Sequence, residues 1–233
     1  TFDTRIQEDL IKAEIVSVPL TLIILGIVFA TFIAAVLPVG IAIFTVASAA
    51  GITIWLSNVT DVTQYAVNII TLIGIGVSVD YSLFIVNRYR EELNRGHDIR
   101  TASAMTVATA GKAVFFSGVT VAIGLMGMLF FENTGLPSLG IGGTLAVTVA
   151  MIFSIVVLPA LLCIIGNGVN YPAISNLIKW INMRFNLKIP NVAEKFPTFS
   201  TENDDGEGIW SKIATTVMDR PWAVLIPTLI ILL

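Results

Sequence analysis

The sequence predicts an all-α fold, a polytopic bundle of transmembrane helices. Three observations predict it. Of 233 residues, 55% are hydrophobic and only 12% charged, with a mean hydropathy of +0.88, whereas an average soluble domain carries roughly 25% charged residues. The apolar residues fall in runs of the length that crosses a bilayer, about 20 residues. The charges collect between those runs. So few charges cannot cover a core of this size in water, and disorder would need the opposite composition.

The elements follow in order. A polar, helix-like stretch at 3–14 leads into the first apolar run, 15–32. The second run is 34–56, with Pro38 near its start, and the third is 65–86. The fourth is 113–131 and the fifth 139–165. A last run opens at Pro221 and is still apolar at Leu233, too short to cross. It is expected to be a helix cut by the chain end. The opening on Thr1, with no Met and no signal pattern, is expected to follow a missing segment.

Between the fifth run and Pro221, Ile174, Leu177, Ile178, Ile181 and Phe185 recur at helical spacing, with Lys179, Arg184 and Lys188 among them. That pattern suits an amphipathic helix on the inner leaflet, or equally one packed on a soluble part. An acidic, Gly-containing linker follows at 202–208, then a second amphipathic piece at 209–218. The expected divisions are 1–14, the end of an outward segment; 15–166, a five-span bundle; 167–208, a connecting segment; and 209–233, an interfacial helix and the start of a span.

Lys and Arg in short loops set orientation. Residues 88–112 hold Arg88, Arg90, Arg95, Arg100 and Lys112, whereas 57–64 and 132–138 hold none. The loop 88–112 and the segment 167–220 are therefore expected in the cytoplasm, with the protein multi-pass in the plasma membrane.

Several function classes drop out. A net charge of −3 is too small to suggest nucleic acid as a partner. One cysteine, Cys163, excludes an intrachain disulfide, and with one histidine, His97, little remains for a metal site. No nucleophile elbow or phosphate loop supports an enzyme, and no ring of charges or filter-like loop supports a channel. No cofactor is expected.

One charge lies inside a span. Asp80 stands eight residues before Arg88, on the order of 12 Å from the inner end at 1.5 Å per residue. A mid-span Asp costs roughly 2.5–3.5 kcal/mol to insert. Such a residue is by default a proton relay or ion site, because burial brings a carboxyl toward the range where it loads and releases a proton. The alternative is a structural salt bridge, for instance to Lys112 at the mouth of the fourth span. Gly76 lies four residues before Asp80 and Gly74 is near, small residues that would let a neighbouring helix approach. Asn87, two turns on, shares the Asp80 face. Tyr81 can donate to a carboxylate or simply pack. Ser117 and Thr120 share a face of the fourth span, though such hydroxyls often bond back to their own helix. Gly140, Gly142, Gly143 and Thr144 sit near the outer end of the fifth span.

The run Gly74-Ile-Gly-Val-Ser-Val-Asp80-Tyr81, continued by Arg88-Tyr-Arg90-Glu91-Glu92, resembles the fourth-span signature of the MMPL family of RND (resistance–nodulation–division) transporters. Pro38, Gly111-Lys112-Ala113 with Ser117-Gly118, Leu158-Pro159-Ala160-Leu161 and Val217-Met-Asp-Arg220-Pro221 fit the same family. The resemblance covers nearly the whole chain and is weakest in the acidic linker. It implies spans two to six of an RND-type membrane half, plus the start of span seven, in an arrangement like a sterol-sensing domain. It implies export of lipids or amphiphilic drugs driven by the proton motive force. Asp80 would carry the proton, Tyr81 would be its hydrogen-bond partner and Ser117 would face the pair, with a matching pair in the missing second half. A sterol-sensing-domain-like lipid sensor, or a non-transporting assembly module, is the alternative.

Overall fold

The computed structural model describes residues 19–26, 29, 31–60, 62–63, 65–131, 135–170, 215–222 and 226–227. Four long helices dominate: α1 at Phe32–Leu56, α2 at Tyr65–Asn94, α3 at Ile99–Phe130 and α4 at Leu136–Asn170. Each is long and apolar enough to cross a membrane, and no β-strand lies among the described residues. The fold is the expected all-α polytopic membrane bundle. Of the first expected span, residues 19–26 and 29 are helical. Contacts divide the chain into two units, Thr1–Thr198 and Phe199–Leu233. The described part of the second unit is helical at 215–219, with Pro221 and Trp222 following. The polar stretch 3–14, the amphipathic helix at 174–188 and the acidic linker 202–208 lie outside the described residues.

Each helix has local causes for its ends. α1 keeps Pro38 in its second turn, buried. It stops where Ser57 Oγ donates to the carbonyl of Ile54 at 2.7 Å and Asn58 Nδ2 to that of Trp55 at 2.9 Å, which satisfies carbonyls the helix leaves open. α2 is the centre of the bundle and packs on both α1 and α4. Small residues make that contact. A methyl group at Gly142 of α4 would lie 2.6 Å from the carbonyl oxygen of Ala66 on α2. Two backbones therefore touch there, and only glycine fits.

α3 and α4 each contain one π-helical turn, at Val107–Gly111 and Phe153–Val157. The second precedes Pro159, whose ring would collide with the carbonyl four residues back in a regular helix. The wider turn makes room for it. The outward faces are apolar: Phe44, Trp55, Phe116, Ile123 and Phe130 are all exposed. In water that would be an aggregating patch; against lipid it is ordinary.

The structure corrects one feature of the sequence reading. The expected loop 88–112 is almost entirely helix. α2 runs on to Asn94 and α3 starts at Ile99, leaving a turn of Arg95 to Asp98. Gly96 makes that turn at φ +88°, a left-handed conformation that glycine adopts without strain. Asp98 caps α3 by accepting from the Arg100 amide at 3.2 Å. Lys112 therefore sits within a continuous helix.

Candidate functional site

Asp80 faces away from the helices that pack on α2. Leu72, Gly76, Asp80, Phe84 and Asn87 are all exposed, and their spacing of three or four residues makes them one stripe. Among the described residues the carboxylate has neither ion pair nor hydrogen bond. The alternative salt bridge to Lys112 is not made. The described residues alone do not form the packed face expected around Asp80. Within the described residues that face is open, and a methyl at Gly76 would meet nothing within 4 Å. Gly74 differs: its face is packed, with Val46 Cγ2 at 3.3 Å and Ala146 Cβ at 3.7 Å from a methyl placed there. Two residues along a helix turn the side chain about 200°, which separates the two glycines.

Tyr81 and Ser117 do meet. The Tyr81 hydroxyl lies 3.5 Å from Ser117 Oγ on α3, where either can donate, a weak contact longer than the roughly 2.5–3.0 Å usual between two oxygens. The geometry gives Tyr81 to Ser117 and not to the Asp80 carboxylate, because consecutive helical side chains diverge by about 100°. Thr120 bonds back to the carbonyl of Phe116 at 2.8 Å. The residue after the pair, Ser82, is fully buried and lies 3.4 Å, Oγ to Oγ, from the equally buried Ser154 on α4. Sequence reasoning missed Ser154; its only signal was a hydroxyl in an apolar run, which is common.

The charged end of α2 forms a latch. Arg88 pairs with Glu91 at 3.0 Å and also with Glu92. Arg95 pairs with Glu91 at 2.5 Å and Glu92 at 3.0 Å, and His97 Nδ1 lies 2.8 Å from the other Glu92 oxygen. Glu92 is fully buried. Tyr89, also buried, donates its hydroxyl to the carbonyl of Leu162 at 3.1 Å. Arg90 donates to Asn170 Oδ1 at 2.9 Å and to the carbonyl of Phe29 at 3.0 Å, and its guanidinium carbon is 5.7 Å from the centre of the Phe29 ring. The Arg-Tyr-Arg-Glu-Glu run thus ties α2 to α4 and to the first helical stretch. Its two glutamates neutralise Arg88 within the run and Arg95 just beyond it.

The model of the MMPL family matches residues 2–224. The trehalose monomycolate exporter MmpL3 of Mycolicibacterium smegmatis is 36% identical over 231 residues, 97% of this chain and 23% of that protein. The mycolic acid-containing lipids exporter MmpL11 of the same species is 32% identical over 227 residues, 97% of this chain and 22% of that protein. A relative from Mycobacterium tuberculosis, the heme uptake protein MmpL11, is 33% identical over 227 residues, 97% and 21%. The chain spans less than a quarter of the length of these relatives.

Proposed function

The chain belongs to the MMPL family, and from that premise we propose that it is part of a proton-driven exporter of lipids or amphiphilic compounds. The observation that carries this is Asp80. It is the one acidic side chain within the apolar part of a span among the described residues, and it stands unpaired on an open face. A carboxylate without a fixed counter-ion can bind and release a proton; one locked in a salt bridge cannot do so cheaply. Asp80 would carry the proton. Tyr81 and Ser117 would supply hydroxyls on the adjoining face that accept and donate. The proton motive force is the energy source, and the chain is a transporter segment rather than an enzyme. The missing second half, with its own Asp-Tyr pair, would cover the Asp80 face.

The orientation belongs to the same proposal. Residues 88–112 and 167–220 face the cytoplasm, supported by the excess of Lys and Arg there over the other short connections. The membrane is the plasma membrane. The cargo follows two of the three relatives, whose names give lipids.

The test is Asp80→Asn in the intact protein. Efflux of a fluorescent lipid probe that depends on the proton gradient should fall to background. Near-normal gradient-driven efflux would sink the relay. Loss of folding, with the remaining activity still gradient-dependent, would support a sensor or assembly module instead.

A further inference from the structure

We propose that Ser154 is a positioning residue for the Asp80–Tyr81 pair, acting through Ser82. This rests on the relay reading above. Between Tyr65 and Asn87, among the described residues, α2 has two side-chain bonds to other helices. They are Tyr81 to Ser117 on α3 and Ser82 to Ser154 on α4. Elsewhere along this stretch the packing is apolar and non-directional, from Ile70, Val79, Ile85 and Val86. Gly74 rests on Val46, Thr45 and Ala146, contacts that resist rotation about the helix axis weakly. Two polar contacts from consecutive residues, about 100° apart and to different helices, add a directional preference to that packing. The facing of Asp80, adjacent to Tyr81 in the chain, is biased with them.

The shape of α4 explains why Ser154 reaches the place. Ala146, Ala150, Ser154, Leu158 and Leu162 are all buried. In a regular helix a series spaced by four drifts about 40° per step and leaves the face. The π turn at Phe153–Val157 adds a residue to one turn and takes back that drift between Ser154 and Leu162. Ser154 lies within that turn, and both hydroxyls of the pair are fully buried. Each depends on the other for a partner.

The experiment is a pH titration of Asp80 in the intact protein by infrared difference spectroscopy. Its protonated-carboxyl band is identified by its loss in Asp80→Asn. Ser154→Ala alone would orphan the Ser82 hydroxyl, so the informative variant is Ser82→Ala with Ser154→Ala, which removes both polar groups. The expected result is a displaced Asp80 midpoint, by about half a pH unit or more, whereas Ser154→Thr alone, which keeps a hydroxyl for Ser82, leaves it at the wild-type value. A double variant that titrates Asp80 at the wild-type midpoint overturns the proposal. The relay reading fails separately, if Asp80→Asn keeps gradient-driven efflux while the midpoint still shifts in the double variant.

Discussion

Glu92 is the one fully buried charged side chain among the described residues, and it collects Arg88, Arg95 and His97. Removing one member of such a group leaves the others uncompensated. Glu92→Ala should destabilise the protein by about 3 kcal/mol, the low end for a buried pair because Arg95 is half exposed. Thermal unfolding in detergent would measure it, and a loss below about 1 kcal/mol would show that water compensates the arginines. Tyr81→Phe is the contrasting case. Its bond to Ser117 is long and not deeply buried, so stability should fall by less than about 1 kcal/mol. Gradient-driven efflux should fall severalfold more than stability predicts, and a variant with intact efflux would remove Tyr81 from the relay. At this scale Asp80 was legible in the sequence, because a lone charge in an apolar run stands out by cost alone. The Glu92 latch was not. Its residues read as a cytoplasmic charge excess, since spacing cannot tell a paired arginine from a solvated one.

Among the helices, the close approach of α2 and α4 depends on Gly142. Gly142→Ala would push a methyl against the Ala66 backbone and should cost about 1–3 kcal/mol. Gly76→Ala, where nothing lies within 4 Å, should change the stability of this unit little. Equal unfolding temperatures for the two variants would contradict the packing described. The start of α3 adds a pH dependence. The Thr101 side chain and the Thr101 and Arg100 amides hold the Asp98 carboxyl below its ordinary value near 3.8. A depressed folded value means the cap stabilises α3 above that ordinary value and is lost as pH falls through the folded one. Amide exchange at Arg100 and Thr101 should therefore rise below about pH 4 once corrected for intrinsic rates. Unchanged protection there would show that the cap contributes nothing. The sequence placed four spans correctly in order, since apolar run length is a direct readout of bilayer thickness. It ended α2 early and started α3 late, because it treated charges as loop; a helix continues past the lipid wherever its charges can pair along i to i+3 and i+4.

For the whole molecule, the open side of α2 is the main feature. The chain is less than a quarter of the length of its relatives, and the stripe from Leu72 to Asn87 has no partner among the described residues. If the second half covers this face, an apolar carbodiimide should label Asp80 faster in the 233-residue chain than in the intact protein. Equal rates would mean that lipid, not protein, lines the stripe.

The sequence by itself determined the class of fold, the order of the spans and the single carboxylate worth attention. These follow from composition and run length, which solvent reads locally. Only the tertiary structure decided which way each side chain points. It parted Gly74 from Gly76, turned Tyr81 toward Ser117 and brought Ser154 to Ser82. Those outcomes depend on helix rotation and on the π turns that reset it, and rotation is fixed by contacts between residues far apart in the chain.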